Sequence, residues 1–353
     1  MKIALFCSSR NIIPSKKTGG TEQPIFYLAQ ELAKRGHQVT LYAAKGSKVI
    51  GVKIVEISPF VSFSKQKYLN IQERITSFYD LIALSDFFRK EADNFDIIQF
   101  NNYIFYEILP FVKLSKTPVI IRINYPHNLM YPYIRNSLKK IKNVYYLPIS
   151  KFIKSIMPDL KYLDPIHPAI DINEFKFSAK PKDYFLFIGR ICANKGAHLA
   201  IKAAKKAKCK LIIAGRIDQA NPQDYFNQYI KPYLNNKDIK YIGEVDFKEK
   251  IKLYQNAKAT LFPIRWDEPF GNVPIESMAC GTPVIAFDRA AMKESVKNNE
   301  NGFLVRNGDV KEMAKAILNI EKINRNKVRK YAEENFDIKK VVIKYEKIFK
   351  ELK

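Results

Sequence analysis

Two glutamates, Glu268 and Glu276, stand eight positions apart where a short apolar strand gives way to a predicted helix. Eight residues of helix span about 12 Å, so the two carboxylates cannot act together on one atom. Helical side chains lean toward the helix N-terminus, and Glu276 can therefore still point back toward Glu268. The spacing favours two separate acceptors for hydroxyls at the two ends of an elongated ligand. A plainer interpretation makes one glutamate a helix cap and leaves the other solvated.

The residues between the two glutamates predict a site for ligand oxygens. The first backbone amides of a helix have no partner within it, and the helix dipole makes this end partly positive. We expect the amides of four consecutive residues to bind phosphate or sugar oxygens: Phe270, Gly271, Asn272 and Val273.

A second loop carries two cations, Arg190 and Lys195, within the segment from Gly189 to Gly196 that follows another predicted strand. An arginine fork and a lysine point charge suit a diphosphate, and nearby backbone amides add donors. The plainer interpretation is that both are surface cations on a loop. A glycine pair near the N-terminus, Gly19-Gly20, lacks the GxGxxG spacing of a dinucleotide loop and by itself indicates only a turn.

The elements that position these loops form two successive α/β patterns. Strand, glycine turn, helix and strand open the chain as a βαβ unit, which is typical of a parallel sheet. The helix of this unit is predicted to end at Gly36. The strands predicted in this half are residues 3–7, 39–43, 97–100, 119–123 and 145–148.

The pattern restarts after a proline-containing segment without periodicity. Strands are predicted at 185–188, 211–214, 239–243, 259–263 and 284–287, and helices at 198–207, 225–234, 249–256, 273–280 and from 338 onward. We therefore predict an α/β fold of two Rossmann-like doubly wound domains facing a cleft. The predicted parts are an N-terminal domain at 1–163, a linker at 164–183, a C-terminal domain at 184–335 and a final helix at 336–353.

Composition supports two packed cores and no membrane span. The chain has 353 residues, of which 47% are apolar, far more than a disordered chain carries. No apolar run approaches the roughly 18 to 20 residues that cross a bilayer, and the first apolar stretch is too short for a signal-peptide core. The four cysteines lie far apart without a CxxC pair, which argues against a disulfide framework or a structural zinc site. We expect a soluble, cytoplasmic protein.

The net charge of +25 arises from 60 lysines and arginines against 35 acidic residues. Drift of the composition toward lysine is one explanation. The other is functional, because a basic stretch at residues 97–158 holds nine cations and one acid among aromatics such as Tyr131, Tyr133 and Phe152. Such a stretch suits an anionic membrane surface or a nucleic acid. No nucleic-acid-binding signature accompanies it, so we favour peripheral binding at the inner face of the membrane and expect no nucleic acid partner.

Several motifs together resemble one enzyme family. The run Glu268-Pro-Phe-Gly, followed by Glu276 and by Met-Ala-Cys-Gly-Thr-Pro-Val at 278–284, is similar to the E-x7-E signature of the family-4 retaining glycosyltransferases. The same family shows G-R-x4-K-G, an N-terminal glycine pair and an Asn-Gly-Phe-Leu segment, here at 189–196, 19–20 and 301–304. These motifs occur in the family's order over nearly the whole chain, and the subgroup that they resemble is AviGT4-like.

The resemblance implies the GT-B architecture, with the nucleotide-sugar donor on the C-terminal domain and the final helix crossing back onto the N-terminal domain. It assigns Arg190 and Lys195 to the donor diphosphate, Glu276 to the ribose hydroxyls and Glu268 to the transferred sugar. The four amides named above then hold sugar and phosphate oxygens. The turn at 243–245, which includes Val245, would meet the base.

Two further sets of candidates follow from the same resemblance. The glycine pair, Gly19 and Gly20, belongs to the donor-binding set. The candidate catalytic residues are Arg190, Lys195, Glu268 and His127.

The N-terminal half departs from the family pattern on the acceptor side. Relatives often carry His-x-His after the third strand, where this chain has Gln99 and Asn101. A histidine often ends the next strand, where this chain has Asn124, with His127 three residues later. Asn101, Asn124 and His127 are the acceptor-side candidates, and His127 is either a displaced functional histidine or a loop residue.

The reaction implied is transfer of a hexose from a UDP-sugar to a glycan or lipid-linked acceptor with retention of anomeric configuration. The chain has no Asp-x-Asp, the usual anchor for a diphosphate-bound metal ion, so we expect no metal and no cofactor besides the nucleotide-sugar co-substrate. Arg190 and Lys195 then neutralise the leaving group. No carboxylate is an evident nucleophile on the acceptor side, which favours a same-face displacement. The alternatives are a non-catalytic nucleotide-sugar-binding protein and a nucleotide-sugar epimerase of similar fold.

Overall fold

The computed structural model describes residues 1–7, 11–15, 20, 22–58, 69–101, 108–125, 136–137, 139–218, 222–235 and 237–353. Two compact units divide the chain: Met1–Ala169 with Ile338–Lys353 form the first, and Ile170–Asp337 the second. The segment predicted as a linker is divided between them, because residues 164–169 pack with the first unit and 170–183 with the second. Four residues named from the sequence lie outside the described residues: Gly19, His127, Tyr131 and Tyr133.

The first unit is built on a six-stranded parallel sheet. Its strands are β1 (Lys2–Phe6), β2 (Gln38–Ala44), β3 (Lys53–Ser58), β4 (Ile97–Asn101), β5 (Val119–Ile123) and β6 (Val144–Pro148), and its helices include α1 (Glu22–Lys34), α2 (Leu69–Lys90) and α3 (Lys151–Ile156). The strand order is β3-β2-β1-β4-β5-β6. The order reverses direction between β1 and β4, which is the switch point where doubly wound sheets bind ligands.

The core of the first unit follows from strands that are covered on both faces. Such strands are nearly continuous apolar runs, because neither face meets water. The ring of Phe6 on β1 stacks on Tyr42 and Phe100 at centroid distances of 4.3 and 4.6 Å and meets Phe87 edge-on at 4.7 Å. These rings join three strands to α2 and fix the sheet whose carboxyl edge carries the acceptor-side candidates.

The second unit repeats the same plan. Its strands are β7 (Phe185–Ile188), β8 (Leu211–Ala214), β9 (Ile239–Tyr241), β10 (Thr260–Phe262), β11 (Val284–Phe287) and β12 (Gly302–Val305). Its helices are α4 (Ala197–Ala207), α5 (Pro222–Tyr229), α6 (Phe247–Asn256), α7 (Asn272–Ala279), α8 (Met292–Ser295), α9 (Val310–Leu318) and α10 (Arg325–Asn335). The parallel strand order, β12-β11-β10-β7-β8-β9, is that of the first sheet, with its switch point between β7 and β10. The prediction of two Rossmann-like α/β domains is confirmed.

Three predicted elements of the second unit are too long, and one of them is the strand predicted at 259–263, of which β10 covers only Thr260–Phe262. The helix predicted at 225–234 ends at Tyr229 and is followed by a 3-10 turn at Lys231–Tyr233. Pro232 explains the end, because proline has no amide to donate and its ring clashes with the preceding helical turn. The strand predicted at 239–243 ends at Tyr241.

The final helix, α11 (Ile338–Leu352), belongs to the first unit, as predicted. Glu346 on α11 accepts two hydrogen bonds from the Arg35 guanidinium at 2.9 and 2.8 Å and lies 2.9 Å from the His37 ring. Lys353 forms an ion pair of 3.0 Å with Asp96, just before β4. These contacts attach the end of the chain to the sheet formed by its beginning.

Candidate donor site and its partners

The carboxyl ends of β7 and β10 bring two loops together at the switch point of the second sheet. The loop after β7 runs from Gly189 to Gly196, and the backbone of Arg265, after β10, donates a hydrogen bond of 2.9 Å to the carbonyl of Asn194. A Cβ at Gly196 would lie 2.0 Å from the carbonyl oxygen of Pro263, so only glycine permits this approach. Its φ of +78° also favours glycine.

The approach of the loops pairs Lys195 with Glu268. Lys195 Nζ lies 2.6 Å from Glu268 Oε2, and the side chains are only 20% and 13% exposed. Trp266 Nε1 donates to the same oxygen at 3.0 Å, and the Lys195 ammonium lies 5.1 Å from the centroid of the Trp266 ring. Among the described residues, none donates to Glu268 Oε1. One carboxylate oxygen is thus held by two side chains of the protein, while the other accepts no hydrogen bond from a described residue.

Glu276 has its own pair of partners on α6. Lys250 Nζ lies 2.7 Å from Oε1, and the Tyr254 hydroxyl donates to Oε2 at 2.9 Å. Burial, with the nearby Glu276 charge, raises the pKa of Tyr254 well above its ordinary value, so the hydroxyl stays a donor. The same two causes raise the pKa of the Cys280 thiol to about 12, which leaves it protonated. Neither glutamate caps a helix or stands free in solvent, which excludes the plainer interpretation of the motif.

Arg190 is held apart from the Lys195 pair. Its Nη1 atom lies 3.0 Å from Asp218 Oδ2, and the side chain is 51% exposed. The sequence predicted that Arg190 and Lys195 act together on a diphosphate. In the structure each of them instead lies against its own carboxylate.

Between the two glutamates, Gly271 begins α7. Its φ is +88°, and a Cβ there would lie 3.2 Å from Phe262 Cζ and 3.4 Å from Glu268 Cγ. As the N-cap it has no side chain with which to cap the first turn, so acceptors for the first amides must come from elsewhere, a ligand included. The Phe270 ring is fully buried against Phe336 at 5.8 Å, so Phe270 has only its backbone to offer a ligand.

The turn predicted to meet the nucleotide base lies at the same edge of the sheet. Val245 follows β9 and precedes α6, whose N-terminus is closed by a capping box between Asp246 and Glu249. The amide of Gly215, after β8, donates to the Gly243 carbonyl at 2.7 Å, and the Tyr241 hydroxyl donates to the Gly215 carbonyl at 2.8 Å. The ends of β8 and β9 are therefore fastened together beside the two loops.

The acceptor-side candidates of the first unit form a different kind of cluster. Gln99 and Asn101 are fully buried on β4, and Gln99 Nε2 donates to Asn101 Oδ1 at 2.8 Å. Asn101 Nδ2 donates in turn to the carbonyl of Phe6 at 3.3 Å, across the β1–β4 switch point. Asn124 Oδ1 accepts from Arg122 Nε at 3.3 Å, while Gly20 is exposed before α1.

The basic stretch does not present its described cations on one face. Arg122 is buried, and Lys151 and Lys154 follow β6 on α3. Five exposed lysines instead precede β5 and β6, at the amino ends of the strands: Lys113, Lys116, Lys139, Lys140 and Lys142. No helix in the described parts of the chain combines the length and the apolar character that crossing a bilayer requires.

Sequence reasoning missed four residues that contact the predicted ones. Lys250 and Tyr254 stand four apart, a spacing that places both on one face of a helix, but nothing in the sequence points that face at Glu276. Trp266 is the single tryptophan of the chain and lies two positions before Glu268, which is a signal that could have been used. Arg122 was counted among the surface cations.

Two family models match the two halves of the chain. The model described as glycosyl transferases group 1 matches residues 170–335, and the model described as glycosyltransferase family 4 matches residues 18–158. The two matches fall within the two units, one in each, and leave out residues 1–17, which include β1, residues 159–169 between them, and the final helix.

Curated relatives align over part of their length. The O-antigen chain mannosyltransferase RfbU of Salmonella typhimurium is 30% identical over 196 residues, which cover 54% of each chain. Glycogen synthase of Mycobacterium tuberculosis is 28% identical over 173 residues, which cover 46% of this chain and 41% of the relative. The chain thus spans about half the length of the curated relatives that it matches.

Solved structures share the fold over nearly the whole chain. AviGT4, a glycosyltransferase involved in avilamycin A biosynthesis, superposes with a TM-score of 0.74 and 18% identity, covering 99% of this chain and 97% of its own. Anabaena HepE, crystallised with UDP-glucose, gives 0.74 and 18%, covering 99% and 100%. With both halves matched by family models and the fold shared throughout, the chain belongs to the family-4-like glycosyltransferases of the GT-B fold.

Proposed function

We propose that this protein transfers a hexose from a UDP-sugar to a glycan or lipid-linked acceptor, with retention of anomeric configuration and without a metal ion. The observation that carries the proposal is the Lys195–Glu268 pair at the switch point of the second sheet. Ligands of doubly wound sheets bind at this position. A sugar diphosphate requires a cation for its phosphates, here Lys195, beside a hydrogen-bond acceptor for its sugar hydroxyls, here Glu268.

Lys195 is suited to the leaving group. An ammonium has three N–H donors, and among the described residues Lys195 places one of them on Glu268. The remaining donors are available to diphosphate oxygens, whose negative charge grows as the glycosidic bond breaks. Stabilisation of developing charge by a preorganised cation is commonly the largest single contribution to catalysis. Arg190, on the same loop, adds a second cation once it leaves Asp218.

The two glutamates are suited to the two ends of the donor. Glu268 offers Oε1 to a hydroxyl of the transferred hexose, and Glu276 offers its remaining lone pairs to the ribose hydroxyls. Lys250 and Tyr254 fix the Glu276 carboxylate before the donor arrives, so less ordering is needed on binding. The amides at the start of α7 lie between the two carboxylates in sequence and serve the sugar and phosphate oxygens.

The proposed step is a displacement on one face of the sugar. The bond between the anomeric carbon and the diphosphate oxygen breaks, and the acceptor hydroxyl oxygen bonds to the anomeric carbon from the same side. The hydroxyl proton passes to the departing phosphate oxygen, and Lys195 neutralises the charge that remains. With Lys195 and Arg190 as the neutralising cations, no divalent ion is needed in this scheme.

The names of relatives support the substrate classes. Anabaena HepE has been crystallised with UDP and with UDP-glucose, and Staphylococcus aureus TarM with UDP. Two curated relatives are named for O-antigen and capsular polysaccharide synthesis. We extend this to a cytoplasmic protein that acts at the inner face of a membrane, where exposed lysines of the basic stretch meet anionic lipids.

A donor screen by ligand-induced thermal shift tests the proposal. UDP-sugars are expected to raise Tm by several degrees relative to sugar alone, since a ligand at about 100 times its Kd stabilises by about 2.7 kcal/mol. Slow release of free hexose from the selected donor then separates an enzyme from a binding protein, and the absence of a changed sugar in the nucleotide pool excludes an epimerase. Turnover that EDTA abolishes and Mg²⁺ or Mn²⁺ restores would contradict the metal-free scheme.

A further inference from the structure

Arg122 is a buried cation that no carboxylate of the described residues balances. It lies on β5, one residue before the carboxyl end of the strand, and is only 7% exposed. Nε donates to Asn124 Oδ1 at 3.3 Å, Nη1 donates to the Tyr345 hydroxyl on α11, and the guanidinium carbon lies 5.7 Å from the centroid of the Tyr345 ring. Among the described residues, no carboxylate forms an ion pair with it.

A second buried arginine, Arg325, shows how a guanidinium with a structural role is hydrogen-bonded in this fold. Arg325, 9% exposed, directs four hydrogen bonds of 2.7 to 2.9 Å to three backbone carbonyls and one threonine hydroxyl. Its donors are distributed over the guanidinium and replace the lost water. Within the described parts of the chain, Arg122 has two hydrogen-bond acceptors, both of them neutral side chains, and Nη2 has no partner.

Burial without an anion is unfavourable for a guanidinium. Desolvation alone lowers the pKa of Arg122 to about 9, which still leaves the group charged at neutral pH. Replacing buried charged groups by apolar groups of similar volume is often neutral or stabilising, so stability alone gives no reason to keep a cation here. A charge kept at such a cost indicates a ligand that supplies the missing negative charge.

A second buried polar group with an unsatisfied atom, the Gln99 side chain, lies on the same face of the sheet. The register places Asn101 of β4 beside Arg122 of β5, and Gln99, two residues before Asn101, shares that face. Gln99 Oε1 is buried, and no atom of the described residues forms a hydrogen bond with it. Unpartnered buried polar atoms are rare, and each requires an explanation. A hydroxyl brought by a ligand is the donor that this carbonyl oxygen lacks.

We propose that Arg122 and Gln99 form a binding site for a hydroxylated anion, that is, a sugar or polyol that carries a phosphate or a carboxylate. The guanidinium pairs with the anionic group through its free edge, and Gln99 Oε1 accepts a hydroxyl. Solvent begins close by, because Tyr125, three residues beyond Arg122, is 51% exposed. The site lies at the carboxyl edge, one strand from the switch point of the first sheet. Its role in holding an acidic acceptor rests on the proposed function; the site itself does not.

The test is a thermal shift that needs neither donor nor turnover. The parent is the full chain with Arg190→Ala and Lys195→Ala, which removes anion binding at the donor site. The probes are sn-glycerol 3-phosphate, glucuronate and neutral glucose, with sodium chloride matching the ionic strength. At about 20 mM, one or both anions are expected to raise Tm by about 2 °C above the chloride control, and glucose is not.

Adding Arg122→Met to the parent is expected to abolish this rise, while Lys48→Met, at an exposed cation of the same unit, leaves it intact. A response to one anion identifies phosphate or carboxylate as the recognised group, and a response to both identifies the charge. Without ligand, Arg122→Met is expected to have a Tm no lower than the parent. Should that variant fail to fold, Arg122→Gln makes the same comparison. No rise with either anion, an equal rise with glucose, or a rise that survives the loss of Arg122 would overturn the proposal.

Discussion

The two sheets have the same strand order but different chemistry at their switch points. In the second unit, a charged pair, Lys195 and Glu268, bridges the loops after β7 and β10. In the first unit, the corresponding strands, β1 and β4, are joined by the neutral chain from Gln99 through Asn101 to the Phe6 carbonyl. One fold therefore places two binding edges in the same way, while the residues at the strand ends decide what each edge recognises.

The two units also differ in how the positive charges of their cations are balanced. The cations of the second switch point are paired with carboxylates in the structure, and a ligand can exchange with those pairs. The buried cation of the first unit, Arg122, has no such partner in the portion of that unit that the structure describes. We interpret the carboxyl edge of the second sheet as the site of a donor whose charged diphosphate leaves during the reaction. We interpret the carboxyl edge of the first sheet as the site of the sugar acceptor.

Among the substitutions that separate the two units, loss of Lys195 is expected to have the largest effect. Lys195→Ala leaves the largely buried Glu268 without its cation and the leaving diphosphate without its neutralising charge. We expect kcat to fall by on the order of 10²-fold or more, measured as hexose released from the selected UDP-sugar. Arg190→Ala is expected to lower kcat by a similar factor.

Lys210→Ala is the matched control, since Lys210 is also an ion-paired lysine of the second unit but precedes β8 at the opposite edge of the sheet. Its turnover is expected to remain near that of the wild type. Unchanged turnover in Lys195→Ala would remove the diphosphate assignment.

Charge reversal of Lys139, Lys140 and Lys142 tests whether the first unit, and not the second, binds an anionic membrane surface. Attraction to anionic lipid contributes about 1 kcal/mol per cation near the surface, so binding to anionic liposomes is expected to weaken well over tenfold. Donor affinity is expected to stay unchanged. Sedimentation with and without anionic lipid measures the effect.

The matched control reverses three exposed lysines of the second unit: Lys311, Lys315 and Lys322. Wild-type protein that stays in the supernatant with both kinds of vesicle would end the membrane hypothesis and favour lysine drift. An equal loss of liposome binding in both triple variants would show that binding depends only on the net charge of the protein.

Tyr254→Phe tests whether a fixed Glu276 carboxylate contributes to donor binding. The variant removes the hydroxyl that holds Glu276 Oε2, and a hydrogen bond to a charged group contributes about 1.5–3 kcal/mol. We expect the donor KM to rise about tenfold with little change in kcat. Tyr184→Phe is the control, because the Tyr184 hydroxyl donates to the Leu253 carbonyl of the same helix without touching Glu276. Equal effects of the two variants would show that Tyr254 acts only through the stability of α6.

The sequence predicted those elements whose patterns are local. Residues 119–123 and 284–287 match β5 and β11 at both ends, because a parallel strand buried on both faces is an unbroken apolar run between polar loops. The edge strands β3 and β12 were not predicted. In β3, Lys53 and Glu56 interrupt the apolar residues, and an edge strand needs fewer of them.

For the site, the sequence identified the residues but not their pairings. Lys195 and Glu268 are 73 positions apart, and only the adjacency of β7 and β10 brings them to 2.6 Å. Lys250 meets Glu276 for the same kind of reason, since α6 and α7 are adjacent only in the folded unit. Spacing along one element predicts which residues share a face, whereas contacts between elements depend on the whole sheet order.

The smallest expected effect concerns the attachment of α11 to the first unit. Hydrogen bonds from Arg35 and His37 lower the pKa of Glu346 from its ordinary 4.5 to about 2. A carboxyl whose pKa is lowered by folding stabilises the folded state fully above its unfolded value, and this contribution is lost as the pH falls from about 4.5 toward 2.

Glu346→Gln is therefore expected to lower Tm at pH 7 by about 1–3 °C, as a partly exposed pair does. The difference from wild type should shrink below about pH 4.5 and vanish near pH 2. Melting curves of both proteins across this range measure it. A difference that stays constant with pH would assign the loss to packing instead of charge.

The most direct test of the donor site uses the emission of Trp266, the single tryptophan of the chain, whose indole contacts both Lys195 and Glu268. A UDP-sugar that engages Lys195 must rearrange this cluster. We therefore predict a saturable change in tryptophan fluorescence on titration of the wild-type protein, with a midpoint equal to the Kd from calorimetry, and its loss in Lys195→Ala. Calorimetric binding of the UDP-sugar without any change in Trp266 emission would contradict the account.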